Sequence, residues 1–287
     1  MRKAGVCIIG SSFASSGNSP ERRSASNGLF HSLALLMFFA LPAWGQTSGA
    51  PGMMAEGEEL VYNVRYGFID LGQVRIRTHT REQVGGYTTY RTKAFIDSYS
   101  GIPFVDLHAT FESWIDTLIF PRRFVGKSKE GKTWEYSRYS FDYELNKVFI
   151  EGGRRDTIVE KRDTMNLEGR YQDGLSLFFF ARDQLRSGKK MDIRCLVKEE
   201  KVNAIIDFKN SRTSVEIDPV EYPVDVIPFE GTMEFVGIYG MTGDFEGWFS
   251  NDEARVPIMA KMKVIIGSIT IELMEWKRPG WIPPRGE

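Results

Sequence analysis

Three polar residues on one predicted strand come closest to a reactive constellation. Asp106, His108 and Glu112 share a face of the segment Val105–Trp114, while Val105, Leu107, Ala109 and Phe111 take the other. Neighbours two apart on a strand lie about 7 Å from each other, so Asp106 and His108 could join in acid–base chemistry or in holding a metal ion. The same alternation is what any half-buried strand presents to water, and that simpler reading carries more weight. Beyond the leader the only other histidine is His79, flanked by Arg77 and Arg81, which would repel a cation. A three-histidine zinc site therefore cannot be assembled.

Nucleophiles fare no better. Gly174-Leu175-Ser176 lacks the second flanking glycine of a nucleophile elbow. Ser176 is expected in a first helical turn, where a hydroxyl satisfies free N–H groups. Cys195, within Ile193-Arg194-Cys195-Leu196-Val197, reads as a buried strand residue. Cys7 would leave with the leader, and a lone cysteine can form neither an internal disulfide nor a multi-thiolate zinc site. Asn251-Asp252-Glu253 gathers oxygens of the kind calcium prefers, yet such a triplet between strands is more often a turn, with Arg255 pairing to Asp252 to fix the hairpin. Neither a P-loop nor a dinucleotide fingerprint is present. The residues thus predict no catalytic site, no metal site and no cofactor.

One stretch, Asp173–Gly188, reads as a helix in a chain otherwise written in strands. Leu175, Phe178, Phe179 and Arg182 follow at helical spacing, and Leu177, Ala181 and Leu185 widen the apolar face. Asp173 is the expected N-cap and Gly188 the C′ residue, with Arg186 and Lys189 suiting the negative end of the dipole. So apolar a helix must bury itself on or inside a sheet. Aromatic residues make up 13% of the chain, and a β domain can use them as core. The functional alternative is an apolar cavity between sheet and helix, with Leu175, Phe178, Phe179 and Arg182 as its candidate ligand-binding residues.

The elements that must hold this helix alternate with period two. Leu60, Tyr62, Val64 and Tyr66 begin the pattern, and Gly85-Gly86 marks a tight turn. Roughly a dozen strands follow at near-regular spacing, which predicts a mainly β fold: a large curved antiparallel sheet or incomplete β-barrel with one helix packed on or in it. Asp156–Lys161 is polar enough for an edge strand. Pro219–Glu230 carries three prolines and is expected to be an irregular loop or a broken edge.

Residues 1–45 read as a signal peptide. Arg22 and Arg23 precede the apolar run Leu29–Ala40, and Ala43-Trp44-Gly45 suits cleavage before Gln46. The run is shorter than the ~20 apolar residues of a membrane span, so no transmembrane span is expected after cleavage; an uncleaved anchor is the alternative. Residues 46–56 are expected to be a flexible leader, 57–278 a single β-rich domain and 279–287 a loose tail. A formal net charge of −1 lacks the basic excess of nucleic-acid binders.

Three blocks together resemble a family of exported bacterial proteins, DUF3108. They are Gly57-Glu58-Glu59-Leu60-Val61-Tyr62 with the following Tyr66-Gly67 and Leu71-Gly72; Asp173-Gly174-Leu175-Ser176 leading into Arg182; and Trp248-Phe249-Ser250-Asn251-Asp252-Glu253-Ala254-Arg255-Val256-Pro257, continuing to Gly267. The resemblance implies an exported β-rich protein of Gram-negative bacteria, with no catalytic residues to carry over. The family's general shape is similar to the curved half-barrels that carry lipid-modified proteins through the periplasm, which is an analogy of fold alone. The expectation is a non-enzymatic periplasmic or cell-envelope protein that binds a lipid or other hydrophobic ligand, with the helix as plug or lid. The alternative is an envelope assembly module whose surface binds another protein and which holds no internal ligand.

Overall fold

The structure, a computed structural model, describes residues 52–102, 106–233, 243–263 and 267–287, all within the compact unit Gln46–Glu287. The expected signal peptide lies outside the described residues. Alternation of apolar and polar side chains yields strands as anticipated: β1 (Glu59–Tyr66), β2 (Ile69–Val84), β3 (Tyr87–Ser98), β4 (His108–Asp116), β5 (Pro121–Glu130), β6 (Thr133–Asp142), β7 (Lys147–Arg154) and β8 (Ile158–Asn166). Helix α1 (Ser176–Gln184) interrupts them. Then come β9 (Lys190–Val197), β10 (Glu200–Phe208), β11 (Thr213–Val215), β12 (Val224–Met233), β13 (Gly243–Ser250), β14 (Pro257–Lys263) and β15 (Ser268–Lys277).

These strands form one antiparallel meander in the order β8-β7-β6-β5-β4-β3-β2-β1-β15-β14-β13-β12-β10-β9, with β11 beside β12. Short connections explain the order, because an antiparallel strand needs only a tight turn to reach its neighbour. Gly85 and Gly86 both take positive φ between β2 and β3, the geometry of a two-residue hairpin turn. The first and last strands, β1 and β15, join the two halves. One inward row runs Leu273, Tyr62, Val74, Ile96 and Ala109 across five strands. On the opposite face Glu59, Arg77, Lys93 and Glu112 form a charged row.

The meander does not close into a barrel. Its two ends, β8 and β9, are joined in sequence by the segment that carries α1. Side chains and one isolated bridge span the seam. Gln172 pairs with Cys195 of β9 through Gln172 N–H to Arg194 O at 2.8 Å and Leu196 N–H to Gln172 O at 2.8 Å. Beyond it the Tyr139 hydroxyl accepts Glu199 N–H at 3.0 Å, and Lys161 meets the Glu199 carboxylate at 2.5 Å. Strand β8 is exposed over nearly its whole length, and its Glu160, Lys161, Arg162 and Asp163 discourage stray pairing.

Three expectations need correction. The proline-rich segment is an irregular loop over residues 219–223, but from Val224 it is the inner strand β12, flanked by β13 on one side and by β11 and β10 on the other. Pro228 fits because β11 pairs with Val224–Val226 and β10 with Phe229–Met233, leaving a gap at Ile227 and Pro228 where no ladder donor is required. Of the expected leader, the described residues 52–56 are not free, since Met53 and Met54 are buried in the main core. Finally, the tail is docked. Asp225 N–H donates to Pro284 O at 2.8 Å, Gly286 N–H to Pro223 O at 2.7 Å, and Trp281 Nε1 to Asp252 at 2.7 Å. Ending the chain after Arg278 should therefore lower unfolding stability by about 2–4 kcal/mol, from lost hydrogen bonds and the Trp281 contact. Urea denaturation measures this, and an unchanged midpoint would mean that the tail is loose after all.

Candidate functional site

The helix is shorter than its sequence signals, Ser176–Gln184 with a 3-10 turn over Leu185–Ser187, and Gly188 takes the left-handed conformation at its end. Asp173 lies ahead of the first turn yet still caps it. Its carboxylate accepts the N–H groups of Leu175 at 2.8 Å and Ser176 at 2.7 Å, and the Ser113 hydroxyl of β4 at 2.6 Å. The group is fully buried, and burial pushes its pKa up to about 6 against the pull of these donors.

Leu175 and Phe179 face inward and are almost fully buried among residues of β1, β2, β4, β12, β14 and β15, whereas Phe178 is half-buried at the margin of that cluster. Ala181 and Leu185 enter a second cluster with Ile193, Ile206 and Phe249. The fourth candidate, Arg182, is 0% exposed in the middle of this face. Its Nη1 meets Glu58 Oε1 at 2.7 Å and its Nη2 meets Glu58 Oε2 at 3.2 Å. Nη2 also donates to Met53 O at 3.1 Å and Ala254 O at 2.9 Å, and Nε to Arg255 O at 3.1 Å.

All three guanidinium nitrogens are thus bound by protein, and Arg182 clamps the helix to residues before β1 and in the β13–β14 turn. Arg278 approaches the same Glu58 carboxylate from just beyond β15. Arg255 does not pair its side chain with Asp252, as the sequence suggested. Its Nη1 donates to the last helical carbonyls, Arg182 O at 3.2 Å and Asp183 O at 2.7 Å, while its backbone N–H meets Asp252 Oδ1 at 3.0 Å. Sequence reasoning missed Glu58 and Arg278. The available signal was a charged residue on an apolar helix face, which demands a buried carboxylate somewhere in the chain.

The polar constellation is divided. His108 sits between Asp97 at 2.8 Å and Asp106 at 3.1 Å, but Glu112 pairs with Arg91 in the outer row. His79 is half-buried; burial and the Arg91 charge lower its pKa. Asn251-Asp252-Glu253 is a turn. Asp252 Oδ1 accepts Ser250 Oγ and the N–H groups of Ala254 and Arg255, and its Oδ2 accepts Trp281. Burial raises the Cys195 thiol to about 12, which keeps it a neutral core group. Among the described residues no cluster of three or more His, Cys, Asp or Glu side chains is placed to hold a metal ion. No helix there is long and apolar enough to cross a membrane.

The family described as protein of unknown function (DUF3108) matches residues 61–274. Among solved structures, a β-barrel-like protein of the DUF1849 domain from Brucella abortus is similar in fold, with a TM-score of 0.51 and 11% identity over 78% of this chain and 98% of that one. A Bacteroides fragilis protein with a YmcC-like fold aligns over 79% of this chain and 98% of its own, at 8% identity and a TM-score of 0.34. No curated protein sequence matches the chain.

Two outcomes follow from the buried groups. Arg182→Met leaves Glu58 with Arg278 as its remaining partner and strips the Ala254 and Arg255 carbonyls of their buried donor, which should cost about 2–4 kcal/mol in chemical denaturation; a loss under about 1 kcal/mol would show that the clamp is dispensable. Asp173 holds its proton to higher pH when folded than its ordinary value near 3.8. Its contribution to stability is therefore fully present below about 3.8 and lost as pH rises through about 6. Asp173→Asn should flatten stability across that window, and a wild-type slope that survives the substitution would assign it to another group.

Proposed function

The chain belongs to the DUF3108 family, and from that premise we propose a non-enzymatic protein exported to the Gram-negative cell envelope, where it acts as an assembly module through its outer surface. The signal-like pattern of residues 1–45 supports export. The observation that carries the surface role is the packing under the helix. Leu175, Phe179, Ala181 and Leu185 are buried against the sheet, and Arg182 is bound by Met53 and Glu58 ahead of β1 and by Ala254 and Arg255 in the β13–β14 turn. A helix fixed in this way is a plug, because moving it would expose an apolar face and strip a buried charge of its partners.

One observation favours the second reading, a lipid or hydrophobic ligand beside the helix: Phe178, together with Leu177 and Phe180, keeps part of its surface in solvent. The test is crosslinking in the native envelope, followed by mass spectrometry of both protein and organic extract. One stoichiometric protein partner without lipid is the expected result. Lipid at one per chain, lost in Phe178→Asp while the fold persists, would overturn the surface role in favour of the second reading. Phe179→Ala should cost about 3–5 kcal/mol in stability under either reading, as truncation of a fully buried ring does.

A further inference from the structure

A different part of the fold carries a cavity that neither reading requires. At one end of the meander the start of β3, the β4–β5 turn, the β6–β7 turn and the segment before α1 surround a cavity of about 430 Å³. Tyr87, Tyr143 and Leu118 supply apolar wall, and Arg122, Arg170, Asp116 and Glu144 supply charge. The charges are unequally matched. Asp116 is buried and saturated: its Oδ1 accepts Leu118 N–H at 2.9 Å and Phe120 N–H at 3.0 Å. Its Oδ2 takes Arg122 Nε at 2.9 Å and Nη2 at 2.8 Å, while the Arg122 guanidinium lies 3.5 Å from the centre of the Tyr87 ring.

Arg170 is the less committed of the two arginines. Its guanidinium packs between Phe120 at 5.0 Å and Tyr143 at 5.3 Å. Its buried Nη1 lies 3.6 Å from Asp116 Oδ2, beyond hydrogen-bond reach of a carboxylate already bound by Arg122, and the side chain is 37% exposed. The exposed part of a guanidinium oriented by aromatic rings is well suited to bind an oxyanion. The geometry points to a site for a phosphate monoester or diester, the phosphate on Arg170 and an apolar body against Tyr143 and Leu118. Glu144, exposed at the rim and bound by the Tyr87 hydroxyl, is the opposing charge that keeps the affinity modest.

The source of the phosphate, a lipid headgroup or a soluble ester, is separated by the choice of probe. Calorimetric titration of the full chain with phenyl phosphate should show binding that neutral benzyl alcohol lacks. Arg170→Gln should weaken it at least tenfold with an unchanged thermal midpoint, and Glu144→Gln should tighten it several-fold. Vesicles of phosphatidylglycerol, against phosphatidylcholine, then ask whether the same arginine recruits the protein to lipid. Arg170-dependent sedimentation with phosphatidylglycerol assigns a headgroup, and phenyl phosphate binding alone assigns a soluble ester. Absence of phenyl phosphate binding at millimolar concentration, or binding that Arg170→Gln leaves intact, would overturn the site.

Discussion

The architecture depends on keeping one guanidinium charged in an apolar core. Arg182 sits where the helix meets the sheet, and a charge so placed is tolerable only when every donor is filled. The partners come from widely separated parts of the chain: Met53 and Glu58 before and at the start of the sheet, Ala254 and Arg255 in the β13–β14 turn. Arg278 adds a contact to Glu58 from beyond the last strand. The clamp draws on all three sequence blocks that resemble the family, which gives their spacing a physical reason. Each block supplies groups that are of little use without the other two.

This clamp also accounts for the open barrel. A meander of this length could close only if β8 met β9 along a ladder, yet the chain between them contains an apolar helix that needs cover. The helix buries its apolar face against the sheet, and Gln172, Tyr139 and Glu199 bridge the seam. Edge strand β8 stays solvated and charged, so the sheet ends without offering an apolar edge. Burial of Leu175 and Phe179 against strands from both halves makes the helix the shared core of the two.

Polar chemistry is distributed differently from what residue types alone suggested. Asp106, His108 and Glu112 are divided between two sets of partners, and Asp252 spends its oxygens on a turn. Arg170, whose neighbouring Asp116 is already committed to Arg122, borders instead a cavity assembled from turns at one end of the strands. Turns can concentrate such groups because they escape the alternation that commits strand residues to core or water.

Much of the fold was legible in local sequence. Period-two alternation gave the strands, Gly85-Gly86 a turn, the charged run after Asp156 the edge, and the Leu-Phe-Phe-Phe stretch a helix that had to be buried. These signals are local because backbone geometry sets them residue by residue. What the alternation could not convey was partnership between distant residues. Glu58 as the counter-charge of Arg182, the pairing of β1 with β15, the docking of the C-terminal tail and the convergence of Tyr87, Arg122, Tyr143 and Arg170 all follow from how the sheet curls. Pro228 makes the same point: proline is forbidden only where a neighbour needs its N–H, and the switch from β11 to β10 removes that need. Sequence by itself determined most of the strands, which segment is the helix, and that the helix must be covered. Tertiary structure alone decided what covers it and which charges meet, because those depend on closure across the chain.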